Sequence, residues 1–255
     1  MRRDTVCKII SNKQAGKFFF EMKAEWISAA KICAPGQFFM INIPGVFLRR
    51  PMGVHKIEKK TISFLYKVAG KGTGILSQMK KGKIEILGPL GNGYDLNIGS
   101  KTPVLIAGGT GIASLYCLAA AIKKKKGILF YGARSRKDLI CLDKFRKLGW
   151  RVFISTEDGS KGYKGFVTEM FEKDLALRFR EKENFSSYYI YVCGPSPMMN
   201  AAIKIARHYS LSGCVSLEEK MACGVGNCQG CSVLIDGQNK MVCKDGPVFY
   251  INQNL

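Results

Sequence analysis

Four cysteines near the C-terminal end of the chain have the spacing of iron-sulfur cluster ligands. Four residues separate Cys223 from Cys228, two separate Cys228 from Cys231, and Cys243 follows after a longer interval. This C-x4-C-x2-C…C pattern is the thiolate arrangement of plant-type 2Fe-2S proteins. The interspersed glycines let the backbone wrap closely and direct amide donors toward the sulfurs. The pattern therefore predicts a 2Fe-2S cluster that carries one electron at a time.

Three other uses of these cysteines are weaker. A structural zinc site usually has two C-x2-C pairs, and here only Cys228 and Cys231 form one. Disulfides are disfavoured because no secretory signal precedes the chain and intracellular thiols stay reduced. A Rieske centre needs two histidine ligands, but His55 and His208 lie far from this stretch. Zinc stays open as the alternative metal.

Composition indicates a globular protein with one large domain or two to three small ones. The chain has 255 residues, of which 47% are hydrophobic. Residues 102–122 carry no charge, yet Pro103 and several glycines interrupt them, so a strand, a turn and a helix fit better than a membrane span. The N-terminus has charges without an apolar segment. We therefore expect a cytoplasmic protein without a targeting peptide or a membrane span.

The formal net charge of +21 raises the question of nucleic-acid binding. The lysines are scattered, and the one dense run, residues 123–126, falls at the predicted end of a helix, where cations complement the dipole. We expect no nucleic-acid partner. An acidic partner protein is a weaker alternative.

Two kinds of periodicity divide the chain into three predicted domains. Short apolar runs separated by turns predict an antiparallel β-barrel over residues 1–98, with strands near 5–10, 17–22, 38–43, 50–56, 61–68 and 83–87. Strands near 104–107, 128–131, 152–155 and 188–193 alternate with helices, including 137–147 and 197–209, and predict a parallel α/β domain over 99–212. Residues 213–255 form the cluster domain, with short strands near 232–235 and 248–251.

Two glycine-containing turns are candidates for a dinucleotide site. The first, Gly108, Gly109, Thr110 and Gly111, follows a strand and opens a helix, where free amides can receive a pyrophosphate. It is not a full G-x-G-x-x-G fingerprint, and an ordinary tight turn is the alternative. The second, Cys193, Gly194 and Pro195, follows another strand of the same parallel sheet. Both turns should open on the carboxyl edge, where Cys193 is either beside a nicotinamide ring or a buried thiol.

The barrel contains a second set of candidate phosphate-binding residues. Arg50 can hold a phosphate with its guanidinium fork, and Tyr66 can stack on a flat ring. Gly72 and Thr73 open a short helix whose first amides form an anion site. Each feature alone is compatible with an ordinary strand or loop. Together they predict a flavin dinucleotide.

The order of these motifs resembles the electron-transfer subunits of dihydroorotate dehydrogenase B, within the ferredoxin-NADP reductase superfamily. The resemblance covers the whole chain and includes Gly-Pro-Leu-Gly at 88–91 and the Met-Ala-Cys-Gly stretch from 221. It implies FAD in the barrel, NAD(H) in the α/β domain and 2Fe-2S in the third domain. The implied FAD residues are Arg50, Pro51, Met52, Gly53, Leu65, Tyr66, Lys67, Gly72 and Thr73, and the implied cluster ligands are Cys223, Cys228, Cys231 and Cys243.

Two positions depart from the family pattern. Gly53 stands where the family usually has a serine near the flavin N5, so only its backbone amide can serve there. The interval between Cys231 and Cys243 is short, which shortens a surface loop.

The choice of nicotinamide cofactor depends on opposing charges. Arg134 and Arg136 could receive the 2′-phosphate of NADP, whereas Glu157 and Asp158 would repel it and could bind the ribose hydroxyls of NAD. The resemblance places the Asp-Gly-Ser loop beside the adenosine ribose. We therefore expect NAD, with Asp158 as the ribose ligand.

The sequence predicts an electron carrier and no catalytic acid or base of its own. The resemblance implies a partner FMN-containing catalytic subunit that oxidises dihydroorotate to orotate in pyrimidine biosynthesis, in a heterotetramer of two plus two chains. Electrons would pass through the 2Fe-2S cluster and FAD to NAD+. One alternative is an NAD(P)H-dependent reductase subunit for sulfide, polysulfide or ferredoxin. A zinc-bearing basic binding module is the alternative of another class.

Overall fold

The computed structural model describes residues 3–26, 33–122, 126–180 and 184–254. Most of the predicted basic run at 123–126 lies outside these residues. The chain divides into two compact units. The first contains Met1–Tyr94 and Glu219–Val248, and the second contains Asp95–Glu218 and Phe249–Leu255. In the described ranges, no helix has the length and apolar character needed to cross a membrane.

The N-terminal part of the first unit is the predicted antiparallel barrel. Its closed strand order is β1-β2-β5-β4-β3-β6. The strands are β1 Arg3–Gln14, β2 Phe19–Glu25, β3 Phe38–Asn42, β4 Arg50–Glu58, β5 Thr61–Lys67 and β6 Lys83–Leu90, and helix α1 is Lys71–Gln78. The closed order leaves none of the six strands as an exposed edge.

Aromatic side chains fill the interior of the barrel. The ring of Phe39 makes edge contacts with Trp26 and Phe64. Gly88 lies so close that a Cβ there would be 2.4 Å from the Phe39 ring. Because side chains alternate along a strand, Phe38 and Met40 point to the outer face of β3, yet they are 4% and 0% exposed. Another part of the unit must cover this outer face.

That cover comes from Glu219–Val248, named here the cluster segment because it contains the four predicted ligands. It includes a hairpin of β13 Ser232–Ile235 and β14 Gln238–Met241. Asp236 and Gly237 form its two-residue turn with φ of 52° and 73°. An Asp-Gly pair is favoured at such a turn because both positions need positive φ.

The second unit is a seven-stranded sheet flanked by helices. Its order is β10-β9-β8-β7-β11-β12-β15. The strands are β7 Thr102–Gly108, β8 Ile128–Ala133, β9 Arg151–Thr156, β10 Tyr163–Lys164, β11 Tyr188–Cys193, β12 Ser212–Ser216 and β15 Val248–Tyr250, and the helices are α2 Ile112–Ala121, α3 Leu142–Lys147, α4 Val167–Arg180 and α5 Ser196–His208. From β7 the chain order runs outward in both directions. The carboxyl ends of β7 and β11 therefore form the topological switch point, where α/β sheets bind ligands.

Several elements differ from the sequence prediction. The helix predicted over 137–147 is a 3-10 turn at Arg136–Asp138 and a short α3, because Cys141 between them has φ of 64°. Helix α4 and strands β10, β12 and β14 were not predicted. The predicted strand near 248–251 is β15 of the seven-stranded sheet, and only its first residue, Val248, belongs to the cluster segment. By its packing, the stretch from Ser212 to Glu218 also belongs with the α/β unit, so a boundary at residue 213 separates residues that pack together.

Candidate functional site

The barrel brings two predicted phosphate-binding features into contact. A Cβ on Gly72, in the first turn of α1, would lie 3.0 Å from Nε of Arg50. The Arg50 guanidinium is held by a hydrogen bond from Nη1 to the carbonyl of Leu48 at 2.6 Å. The first-turn amides of α1 have no partners within the helix. A guanidinium beside a helix N-terminus is suited to a pyrophosphate, and glycine at 72 leaves room for it.

Thr73 shapes the start of α1. Its hydroxyl accepts hydrogen bonds from the amides of Ala69 and Gly70 at 2.9 and 3.2 Å, and it donates to the Gly70 carbonyl at 3.1 Å. These bonds close the loop that leads into the helix. Thr73 therefore fixes the backbone around Gly72, in addition to any contact of its own with a ligand.

Tyr66 is more deeply placed than a stacking role suggests. Its side chain is 3% exposed, its ring lies against Phe20, and its hydroxyl donates to Oδ1 of Asn12 at 3.1 Å. Burial raises the pKa of Tyr66 to about 12, although the Asn12 contact acts to lower it. The Asn12 amide in turn donates to the carbonyls of Leu76 and Met79 at 2.7 and 3.2 Å. Asn12, which sequence reasoning missed, thus joins β5 to the C-terminal end of α1.

The remaining predicted flavin residues surround the same end of the barrel. Because β4 and β5 are antiparallel, the start of β4 lies beside the end of β5. Pro51 is half-buried and Gly53 is exposed with open space around its Cα. Met52 and Leu65 are buried and Lys67 is exposed. The open space at Gly53 would accommodate the serine hydroxyl that the resemblance leads one to expect.

The two glycine turns of the α/β unit meet side by side. A Cβ on Gly194 would be 2.9 Å from the amide nitrogen of Gly108, and one on Gly111 would be 2.1 Å from the carbonyl of Cys193. Only glycine permits these approaches. The predicted convergence on one carboxyl edge is therefore present, and it coincides with the switch point between β7 and β11. The Cys193 side chain is 3% exposed at the strand end, and Thr110 is half-buried beside the turn.

The four cysteines of the cluster segment form two pairs. The amides of Val225 and Cys228 each donate to Sγ of Cys223 at 3.4 Å. The amide of Cys243 donates to Sγ of Cys231 at 3.5 Å. Among the described residues, no three Cys, His, Asp or Glu side chains form a group that could hold one metal ion. Each pair of thiolates could bind one of the two irons of a 2Fe-2S cluster.

The local electrostatics of the pairs differ. Burial acts to raise the pKa of the Cys223 thiol, but the amide hydrogen bonds of Cys228 and Val225 outweigh it and lower that pKa. For Cys243, burial and the contact with Cys231 raise the pKa. Amide donors aimed at a sulfur favour its thiolate, the form that binds iron. The backbone around Cys223 is therefore arranged for a ligand thiolate.

Comparison with known proteins identifies the family. Residues 218–254 match the family model of the iron-sulfur cluster binding domain of dihydroorotate dehydrogenase B, and residues 105–204 match the oxidoreductase NAD-binding domain. The electron transfer subunit of dihydroorotate dehydrogenase B (NAD(+)) from Caldanaerobacter subterraneus subsp. tengcongensis is 38% identical over 261 residues, covering 100% of both chains. The chain belongs to this family. The subunit of the same name from Clostridium perfringens is 38% identical over 86% of each chain.

Solved structures support the fold of the family. The structure of an NADH-dependent reduced ferredoxin-NADP oxidoreductase, a protein of flavin-based electron bifurcation, has a TM-score of 0.84 and 31% identity, and the match covers 97% of this chain and 88% of the other. A ferredoxin NADP+ reductase from Neisseria gonorrhoeae with bound FAD and NADP has a TM-score of 0.69 over 81% of this chain and 91% of the other. At 17% identity, the second likeness concerns the fold alone.

The predicted specificity residues of this family member occupy adjacent strand ends. The amide of Asp158, just after β9, donates to the carbonyl of Arg134, just after β8, at 3.2 Å. Oδ1 of Asp158 accepts from the amide and hydroxyl of Ser160 at 2.9 and 2.6 Å, which lowers the pKa of the carboxyl. The Ser160 hydroxyl also accepts from the amide of Arg136 at 2.7 Å. Ser160, a residue that sequence reasoning did not single out, fixes an ionised Asp158 beside the two arginines.

Proposed function

We propose that this chain carries electrons between NAD(H) and the catalytic subunit of a dihydroorotate dehydrogenase. The full-length similarity to subunits of that name carries the proposal, because both chains are covered completely. We infer that the partner contains FMN, oxidises dihydroorotate to orotate in pyrimidine biosynthesis, and assembles with this chain as a heterotetramer of two plus two. A cytoplasmic location stays a prediction from the sequence.

The barrel residues support a site for FAD. Arg50 and the first turn of α1 would hold the pyrophosphate, and the backbone of residues 51–53 and 65–67 would border the flavin ring. The glycine turns at 108–111 and 193–195 support a site for NAD(H), with Asp158 at the adenosine ribose. Cys223, Cys228, Cys231 and Cys243 support a site for 2Fe-2S. When bound, the nicotinamide exchanges a hydride, the cluster passes single electrons, and the flavin does both.

The partner-facing surface is inferred from exposure around the cluster segment. Residues 227–230 are all exposed, including Cys228, whereas Cys231 and Cys243 are 2% and 1% exposed. An external electron donor can therefore approach the proposed cluster site most closely at residues 227–230. We propose that the catalytic subunit docks over residues 227–230.

The test is purification of the chain with its bound partner from the native source. The proposal expects an FMN-containing subunit in the complex, FAD and 2Fe-2S on this chain, and NADH formation when dihydroorotate and NAD+ are added. A complex that contains FAD and iron yet never reduces NAD+ with dihydroorotate would overturn the assigned donor.

A second candidate is a reductase subunit that exchanges electrons with ferredoxin. The 31% identity and TM-score of 0.84 to the NADH-dependent reduced ferredoxin-NADP oxidoreductase structure favour it over other acceptors. NADH-dependent reduction of ferredoxin by the native complex, without activity on dihydroorotate, would support this candidate over the first.

A further inference from the structure

The Gly-Pro-Leu-Gly-Asn stretch at residues 88–92 has so far no role in either the flavin or the nicotinamide site. It ends β6 and continues beyond the barrel. The structure places its last three residues against the cluster segment. Leu90, Gly91 and Asn92, together with Met40 of β3, form a contact that is named here the seam.

Asn92 holds the segment that follows Cys243, the fourth predicted ligand. Its backbone amide donates to the carbonyl of Gly246 at 2.6 Å, and its side-chain Nδ2 donates to the carbonyl of Asp245 at 2.8 Å. Asn92 also forms a parallel bridge with Pro247. These contacts begin two residues after Cys243. The path of the chain that leaves this cysteine is therefore fixed by the barrel.

Gly91 permits this close approach. Its φ is 70°, and a Cβ there would lie 2.5 Å from the carbonyl oxygen of Gly246 and 2.6 Å from Cδ of Pro247. Its own carbonyl accepts from the side chain of Gln37 at 2.8 Å. Any larger residue at 91 would force the barrel and the cluster segment apart.

Gly224, directly after the first predicted ligand, Cys223, packs closely against the barrel. A Cβ on Gly224 would lie 2.5 Å from Cγ of Met40 and 3.3 Å from Cδ1 of Leu90. Met40 and Leu90 are 0% and 1% exposed. The Cys223 end of the four-cysteine stretch thus rests on β3 and β6, and the Cys243 end rests on the two residues that follow β6.

The seam lies one strand away from the predicted flavin motif. Met40 is paired with Pro51, and Phe38 is paired with Gly53, across the β3–β4 ladder. Directly opposed residues of antiparallel strands share a face of the sheet. The side chains that support the cluster segment are therefore neighbours of the motif on β4.

We infer that the seam is the device that positions the cluster ligands relative to the flavin motif, with Gly91 and Asn92 as positioning residues. This inference rests on the proposed function, because it presumes that the barrel holds FAD and the cluster segment holds 2Fe-2S. The seam belongs entirely to the barrel unit. Its residues are not among those predicted to bind FAD. We therefore expect its disruption to alter the cluster and its coupling to the flavin more than the binding of FAD.

The first test compares Gly91→Ala with Gly45→Ala. Gly45 has nearly the same φ, 72°, in another barrel loop, but a Cβ there would meet no atom within 4 Å. The two variants therefore share the backbone strain and differ in the clash with the cluster segment. FAD and iron are measured per chain, together with the rate of iron transfer to a chelator and the electron paramagnetic resonance spectrum of the reduced cluster.

We expect Gly91→Ala to lose iron about tenfold faster than the parent, a factor equivalent to ~1.4 kcal/mol, with an altered resonance spectrum and nearly normal FAD content. Gly45→Ala should match the parent. If Gly91→Ala only destabilised the barrel, FAD and iron would be released together, and the resonance spectrum of the remaining cluster would be unchanged. That result would overturn the inference.

A milder pair covers the case in which Gly91→Ala fails to fold. Asn92→Ala removes one exposed side-chain hydrogen bond, and Asn42→Ala removes another, from Nδ2 to Glu85 at 2.7 Å on the barrel surface. We expect about two- to fivefold faster iron loss in Asn92→Ala, the effect of one hydrogen bond, and none in Asn42→Ala. Equal rates in both variants would refute the positioning role. A parent chain without FAD or iron would instead refute the proposed function.

Discussion

Replacing Asn12 by alanine should loosen the barrel at the predicted flavin site. Asn12 is 3% exposed, and its side chain makes three hydrogen bonds, two to the carbonyls of Leu76 and Met79 and one from the hydroxyl of Tyr66. Each neutral hydrogen bond contributes about 1 kcal/mol, and buried groups left without partners cost more. We expect Asn12→Ala to lower the free energy of unfolding by about 2–4 kcal/mol. Tyr66→Phe removes one of the three bonds and should cost about 1 kcal/mol.

The assay can be made specific to the barrel unit. The chain has two tryptophans, Trp26 in the barrel and Trp150 in the α/β unit. In a Trp150→Phe background, urea denaturation followed by fluorescence therefore reports on Trp26, which packs on Phe39. Because Asn12 joins α1 to β5, the affinity for FAD should also fall, by about fivefold for ~1 kcal/mol of lost order.

A double-mutant cycle separates the network from simple loss of volume. Because the Tyr66 hydroxyl donates to Asn12, the two substitutions together should cost about 1 kcal/mol less than the sum of their separate effects. Strict additivity, or an unchanged FAD affinity in Asn12→Ala, would refute the reasoning. Exposed Asn42→Ala is the matched control, with an expected change below about 0.5 kcal/mol.

Three further predictions concern other parts of the molecule. Gly72→Ala should weaken FAD binding several-fold, although alanine favours the helix, because its Cβ would lie 3.0 Å from Nε of Arg50. Gly74→Ala, where a Cβ would meet no atom within 4 Å, should leave FAD binding unchanged. Fluorescence titration measures the FAD affinity of both variants. Asp158→Arg should shift the ratio of kcat/KM values toward NADPH, and an unchanged ratio would remove this residue from the specificity argument. Glu58, whose pKa is lowered to about 2 chiefly by Lys23, stabilises the fold above the ordinary carboxyl pKa and loses that contribution as pH falls toward 2. Glu58→Gln should therefore lower the free energy of unfolding at neutral pH by less than about 1 kcal/mol. Because the variant lacks this carboxylate, it should lose less stability than the parent as pH falls toward 2. Identical pH profiles of stability in the two proteins would contradict this.

The sequence was sufficient for the features that rest on local patterns. The barrel strands follow from short alternating runs, and the turns at Gly108 and Gly194 follow from glycines at strand ends. Their convergence could be predicted because parallel strands share a carboxyl edge. Helix α4 was missed although Val167, Phe171 and Leu175, all buried, recur at four-residue intervals. That signal was present in the sequence.

Other features depend on contacts that no local pattern encodes. The left-handed conformation of Cys141 splits the predicted helix over 137–147, and this residue type gives no warning of it. Strand β15 pairs with β12 in the α/β sheet, and this pairing could not be predicted because the two strands lie far apart in sequence. The roles of Asn12 and Asn92 likewise arise from partners more than fifty residues away. The cluster segment likewise packs on the barrel through residues far apart in sequence, such as Gly224 against Met40.

The most direct measurement of the central claim uses the complex of this chain with its catalytic partner. Parent and Cys228→Ser complexes are compared for dihydroorotate-dependent NAD+ reduction and for NADH-dependent reduction of a dye through FAD. We predict that Cys228→Ser, which removes an exposed residue proposed as a cluster ligand, abolishes the first activity and leaves the second largely intact. Equal dihydroorotate-dependent rates in the two complexes would contradict the account, because electrons would then reach NAD+ without the cluster.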